Sequence, residues 1–272
     1  MFKNENIIYN SKNGIEYIQF KKLLEYGISH AYTLKGTNID FTRDSTYEKE
    51  SNNKIALAIG LDVNSFVKPL QKHSSNVICI DRVLKTDDNN DLNFLNNVDG
   101  IITNKKGISL VTTNADCILF LIYDPVKKVI ANIHSGWRGT FQKILEKAIV
   151  KMITSYKSNP KDILVFICPS IRKCHFEVDE DVKVLCEYIF GFTKRTEEFI
   201  FRGDNKTIDN KEIINKYYID TVMINKILLE NIGVKEENII DSMVCSVCNS
   251  DKINSYRVEG KDFKRAIAII SL

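Results

Sequence analysis

The chain has no apolar run approaching the roughly 20 residues that a membrane-spanning helix needs. Its longest, CILFLIY at 117–123 and RAIAIISL at 265–272, fall far short. The first twenty residues, MFKNENIIYNSKNGIEYIQF, hold neither a basic region leading into an apolar one nor a small-residue cleavage site, so no signal peptide is expected. An excess of one charge is also missing. Lys and Arg number 38 against 35 Asp and Glu, a formal +3, too mild and too evenly spread for a nucleic-acid or membrane surface, while a small anionic ligand stays open. No internal repeat, no Pro/Gly/Ser-rich linker and no low-complexity tract beyond a general Asn/Lys/Ile bias breaks the sequence. A single domain over residues 1–272, soluble and monomeric, is the expectation. Histidine occurs only 4 times and tryptophan once.

What is present supports a large core: 44% of the residues are hydrophobic. Seven cysteines, an odd number scattered without an export signal, indicate reduced thiols in a cytoplasm rather than a disulfide framework, which leaves them free for metal or nucleophilic roles. Ile/Val-rich runs read as strands at 76–81, 100–104, 107–113, 117–123, 128–134, 163–168 and 266–272. Apolar residues at Phe141, Ile144, Leu145, Ala148, Ile149, Met152 and Ile153 carry the helical period between Gly139 and Tyr156. Asp179 to Phe190 and Asp220 to Asn231 read as helices by the same test, and the polar stretches 37–53 and 87–93 as exposed loops. Strands and helices mix without strict βαβ alternation, which favours a mixed α/β or α+β sandwich over a doubly wound sheet.

The densest chemistry lies in TTNADCILFLIYDPVKKVIANIHSGWRG, residues 112–139. Two strands flank Asp124-Pro125-Val126-Lys127, where Asp starts a turn and Pro presets its next position, so an antiparallel hairpin is expected. Pairing Tyr123 with Lys128 sets Cys117 opposite His134 on one face, close enough for a thiolate and an imidazole to share an ion or a proton. Otherwise Cys117 is a small buried hydrophobe and His134 a strand end satisfied by the backbone. After His134, Gly136 and Gly139 permit close backbone approach, Thr140 can cap the helix that starts there, and Arg138 beside a helix N-terminus makes an anion site.

QKHSSNV (71–77), VDGIITNKKGISLVTTNADC (98–117), IANIHSGWRG (130–139), CPSIRKCHFEV (168–178) and CSVCNSDKINSYRVEG followed by RAIAIISL resemble the laccase-domain, YfiH-like family. Its members are regarded as zinc-dependent purine nucleoside phosphorylases and were formerly labelled polyphenol oxidases. The resemblance runs from about residue 28 to the C-terminus and implies an αββα sandwich of mixed sheets flanked by helices. It implies three metal ligands, His73, Cys117 and His134, a set with one coordination position open as in catalytic zinc. It further implies a purine nucleoside such as adenosine, inosine or methylthioadenosine and inorganic phosphate as substrates, with adenosine deaminase as a side activity. Arg138 is the expected anion ligand, with Gly136, Gly139, Arg257 and Arg265 as further substrate or phosphate contacts. Asn114 and Asp116 flank the site as hydrogen-bond or acid/base groups, with turn capping as the plainer role for Asp116. The chain departs from the family's pattern at a shortened polar loop, KGTNIDFTRDS, at Tyr256-Arg257-Val258 where paired arginines are frequent, at Lys264-Arg265 where Gly-Arg is common, and at Arg172 where glycine is frequent.

Three rival chemistries remain. Copper also accepts one Cys and two His, but a multicopper oxidase uses many imidazoles, and His30 and His175 cannot make up the deficit. His175-Phe176-Glu177 with Cys245-Ser246-Val247-Cys248 fits the H-x-E and C-x-x-C of a zinc deaminase, yet no proline precedes Cys245 and HFEV reads as a strand. The C-x-x-C is otherwise a pair on an exposed turn, with no second ligand pair evident for another zinc. Lastly, Cys117 as nucleophile with His134 as base would serve a metal-independent hydrolase or a cell-wall precursor editing enzyme.

Overall fold

A computed structural model describes residues 4–84, 88–203, 206–208, 211–213 and 216–272. In chain order the N-terminal part forms β1 (Ile7–Lys12), β2 (Ile15–Phe20), α1 (Lys21–Glu25), β3 (Ser29–Thr33), α2 (Glu48–Ile59), β4 (Phe66–Val67), β5 (Val77–Cys79), α3 (Asn89–Leu95), β6 (Gly100–Thr103) and β7 (Ser109–Asn114). The middle forms β8 (Ile118–Asp124), β9 (Val129–Ser135), α4 (Trp137–Phe141), α5 (Ile144–Tyr156), β10 (Leu164–Ile167), β11 (Glu177–Val178) and α6 (Glu180–Phe190). There follow β12 (Ile200–Arg202), β13 (Lys206–Ile208), β14 (Lys211–Ile213), β15 (Tyr217–Ile219), α7 (Thr221–Asn231), β16 (Ile239–Asp241), α8 (Tyr256–Glu259) and β17 (Ala266–Ser271).

Two six-stranded mixed sheets result, ordered β1-β2-β3-β17-β7-β4 and β16-β10-β8-β9-β6-β5. Each is antiparallel through its middle and parallel at an end, where β4 joins β7, β5 joins β6 and β16 joins β10. The sheets stack. Strand β8 shows why its sequence is apolar from Ile118 to Tyr123: Leu119, Leu121 and Tyr123 face the first sheet, while Ile118, Phe120 and Ile122 face α5 and α7. A strand covered on both faces loses the polar alternation of a surface strand. The first sheet's outer face is covered by α2 through Ile55 and Ala58. The layers therefore run helix, sheet, sheet, helix, the αββα sandwich that the resemblance implied. Between the sheets the amide of Asn132 is satisfied: from β9 it donates to Leu110 O at 2.9 Å and Ala268 O at 2.8 Å, and accepts from the Thr112 hydroxyl.

Each of the seven expected strands is present, as are α6 and α7. Four local expectations are corrected. The stretch 37–53 is not all loop, because its end begins α2, whose first half is polar and whose buried apolar residues come later at Ile55, Ala56 and Ala58. Within 87–93 the Asp/Asn run starts α3 instead: Asp88 accepts from the Asn90 and Asp91 N–H groups as an N-cap, and Leu95 is buried; residue 87 lies outside the described residues. The helix after Gly139 is split at Gln142–Lys143, where Lys143 has φ 58°, into α4 and α5. Thr140 does not cap it. It lies inside α4, bonded to Ser135 Oγ at 2.9 Å and to Asn225 Nδ2 at 3.1 Å, and Gly136 is the N-cap.

Candidate metal centre

The β8–β9 hairpin differs in register from the expected one. Asp124 accepts from the N–H groups of Val126 (2.8 Å) and Lys127 (2.9 Å), and Lys128 takes φ 53°, so the turn occupies 125–128 and Asp124 pairs with Val129. His134 consequently faces Leu119 rather than Cys117. The displacement is two residues, one full side-chain period, so both groups keep the same face and become diagonal neighbours. That face is the one packed between the sheets, and Cys117 and His134 stand at its end.

The third ligand arrives from the loop after β4. His73, Cys117 and His134 bring their donor atoms within 4.8 Å of one another. Cys117 Sγ lies 3.8 Å from His73 Nε2, and the two imidazoles meet edge to face at 5.0 Å between centroids. A tetrahedral zinc with Zn–S near 2.3 Å and Zn–N near 2.0 Å separates such a pair by about 3.5 Å, so the donor set fits an ion of that size. Gly136 adds a second observation: a Cβ there would approach His73 Cδ2 to 2.8 Å and Cys117 Sγ to 3.0 Å. His73 at φ 60° and Asp116 at φ 79° hold left-handed backbone, strain of the kind concentrated at working sites.

Asp99, which sequence reasoning passed over inside VDGIITN, organises the centre. Fully buried, it accepts from His134 Nδ1–H at 2.8 Å, from the His73 and Lys72 N–H groups at 3.1 Å, and from both the N–H and hydroxyl of Ser74 at 2.7 Å. One carboxylate thus fixes the His134 tautomer, turning Nε2 toward Cys117, and pins the backbone that carries His73. Only a buried Asp beside a strand start marked it in the sequence, a signal that many core aspartates share.

Burial opposes charge throughout this group, yet hydrogen bonding overcomes it. His134 and His73 bring the Cys117 thiol down to about 6. Asp99 and Cys117 raise His134 to about 9, and His134 with Ser74 lowers Asp99 to about 2.

The centre opens into a cavity of about 380 Å³, within the usual range for small-molecule sites. Its walls include the rings of Trp137, Tyr256 and Phe263 and the arginines Arg138, Arg257 and Arg265. Arg138 is exposed, lies 4.3 Å over the Trp137 ring, and meets no carboxylate among the described residues. Arg265 is half-buried; burial lowers its pKa, against the pull of Cys117 and Asp40. The Arg257 guanidinium donates to the carbonyls of His175 (3.0 Å) and Glu177 (3.3 Å). Gly139 lies within α4, away from the ligand atoms but against the Ser74 carbonyl. Because α4 has five residues, its dipole is small, and the guanidinium groups carry most of the positive field.

Asn114 and Asp116 line the cavity but have their polar atoms occupied. Asn114 accepts from Tyr32 OH at 3.1 Å and donates to Cys117 O (2.6 Å) and Pro169 O (3.2 Å). Asp116 accepts from Ser246 Oγ at 2.5 Å and from the Arg257 N–H at 2.7 Å, holding the first turn of α8. Both shape the turn that presents Cys117. Arg172 forms a two-pronged ion pair with Asp241, at 2.8 and 3.0 Å, away from the cavity. The Cys245/Cys248 pair is not alone, contrary to expectation: Cys174 and His175 meet it, and the four donor atoms cluster within 4.8 Å.

Residues 24–272 match the family described as multi-copper polyphenol oxidoreductase laccase, and the chain belongs to that family. It is 28% identical over 254 residues to human purine nucleoside phosphorylase LACC1, covering 90% of this chain and 53% of that one. To Staphylococcus aureus purine nucleoside phosphorylase SAR1163 it is 25% identical over 274 residues, covering 96% and 98%. To adenosine deaminase RL5, from an unknown prokaryotic organism, it is 33% identical over 131 residues, covering 47% and 49%. The chain spans about half the length of the first curated relatives it matches, 53% and 51%. The crystal structure of Bacillus licheniformis hypothetical protein YfiH shares the fold, with TM-score 0.83 at 20% identity over 99% of this chain and 100% of that one.

Proposed function

We propose that the chain is a zinc-dependent purine nucleoside phosphorylase, cleaving adenosine, inosine and related nucleosides with phosphate to free base and ribose 1-phosphate, with adenosine deamination as a side activity. The observation that carries this reading is a three-donor metal set at the wall of a cavity that also holds aromatic rings and arginines. Relatives named purine nucleoside phosphorylase, and one named adenosine deaminase, support it.

In phosphorolysis a phosphate oxygen attacks the anomeric carbon, the glycosidic C–N bond breaks, and its electron pair leaves with the purine. Arg138 and Arg265 supply the cationic donors that an incoming phosphate needs, and Arg257 closes the same wall. Trp137, Tyr256 and Phe263 offer faces for the planar base. His73, Cys117 and His134 would hold the zinc, which supplies Lewis-acid polarisation when bound. Asp99 holds the Nδ1 proton of His134, which leaves Nε2 as the nitrogen that would face the ion.

The family's description names copper, but the donors here suit a single ion. Of the 4 histidines, His30 has both ring nitrogens on backbone, at Phe20 N (2.7 Å) and Ile28 O (2.9 Å), and His175 lies among the cysteines. The lowered Cys117 thiol beside an Asp-bound His134 favours a second reading, a metal-independent cysteine hydrolase. Against it, a second imidazole converges on the same sulfur, where a nucleophilic triad has no use for one.

The test measures phosphate-dependent base release from adenosine and inosine for wild type, chelator-treated wild type and Cys117→Ala. Release that is abolished by chelation, restored by Zn²⁺ and absent in Cys117→Ala is the expected result. Full activity in chelated protein would sink the metal reading.

A further inference from the structure

Away from the ligand trio, two loops bring a second group of soft donors together. One loop, after β10, carries Cys174 and His175; the other, after β16, carries Cys245 and Cys248. Main-chain bonds align them: Ser170 N–H donates to Val244 O at 3.2 Å, Ser246 N–H donates to Ser170 O at 3.0 Å, and Ser170 bridges Cys245 in parallel.

We propose that Cys174, His175 through Nδ1, Cys245 and Cys248 form a second zinc site, closed by its four ligands and structural in role. The distances support it. A tetrahedral zinc sets its sulfurs about 3.8 Å apart and a sulfur and a nitrogen about 3.5 Å apart, from bond lengths near 2.3 and 2.0 Å. Cys174 Sγ lies 3.6 Å from Cys245 Sγ and 3.8 Å from Cys248 Sγ. His175 Nδ1 lies 3.2, 3.7 and 3.5 Å from the sulfurs of Cys174, Cys245 and Cys248. Five edges of the tetrahedron thus fall near the values an ion would impose, and all four atoms lie within 4.8 Å.

The local chemistry agrees. The Cys245-x-x-Cys248 spacing sets two sulfurs on one turn, a common arrangement of zinc ligands. A divalent cation would neutralise the three thiolates as each bound thiol releases its proton. A disulfide would use two of the sulfurs and leave the third thiol and the imidazole without a partner.

The closed donor set separates this site from a deaminase centre. His175, Cys245 and Cys248 do gather as that signature requires, but Cys174 fills the position a reacting water would need, and Glu177 lies in strand β11. What the site governs is placement: Ser246, between the two cysteines of the turn, holds Asp116, and the His175 carbonyl holds Arg257.

The experiment loads reduced, chelator-stripped protein with Zn²⁺ alone, removes excess ion and counts bound metal by mass spectrometry. Two equivalents in wild type, one in Cys117→Ala, one in Cys248→Ala and none in the double variant are expected. Cobalt loading gives an independent readout: the remaining ion in Cys117→Ala should show the charge-transfer intensity of three thiolates. Should Cys248→Ala fail to fold, Cys117→Ala still decides. One equivalent in wild type with none in Cys117→Ala overturns the proposal, as does a disulfide between Cys174 and either Cys245 or Cys248 in freshly purified protein that resists mild reduction. Neither outcome weakens the three-ligand centre.

Discussion

Gly136 is the residue where backbone and metal centre meet most tightly. Its φ of −69° suits any amino acid, so what demands glycine is the space taken by His73 and Cys117. Gly136→Ala is expected to displace those ligands by several tenths of an ångström and to weaken zinc binding by roughly 10- to 100-fold, the range for disturbing groups that orient ligands. Competition against a chromophoric chelator measures it; unchanged affinity would show that the loop yields freely. Cys117 and His134 were legible as a pair because strand parity survives a two-residue error in register, whereas His73 came from resemblance alone, being a loop residue with no periodicity of its own. Asp99 escaped for a related reason. Its partners lie at 72–74 and 134, and nothing local at 99 announces them.

At the scale of elements, the strands stood out because both faces of each central strand are covered and the sequence there is mostly apolar. Helices α2 and α3 were hidden by polar first turns, which are N-terminal chemistry rather than loop composition. The register between the sheets rests partly on Asn132, which reaches from β9 to β7 and β17. Asn132→Ala removes three buried hydrogen bonds and is expected to cost about 2–4 kcal/mol. Chemical denaturation reads the change as a lower midpoint with an unaltered slope. A cost below about 0.5 kcal/mol would mean that apolar packing alone aligns the sheets.

The whole molecule should respond to acid through His30. Burial outweighs its two backbone hydrogen bonds and lowers its pKa to about 4, against 6.5 in the unfolded chain. Above pH 6.5 the ring is neutral in both states and contributes no pH dependence. As pH falls from 6.5 toward 4 the unfolded state takes up the proton first, so folding loses stability, by about 3 kcal/mol at the lower end. Thermal unfolding of chelator-treated wild type and His30→Gln between pH 7.5 and 5 separates this group from the metal ligands and from carboxylates. The variant is expected to lose less stability on acidification, and parallel curves would refute the assignment.

The three-ligand centre draws on both sheets. His134 stands on β9 of one, His73 follows β4 of the other, and Cys117 sits where the chain crosses from β7 to β8. An ion gripped there works as a rivet through the sandwich. The layers could not part without shedding it, so a bound ion would slow unfolding while itself staying open to exchange through the cavity.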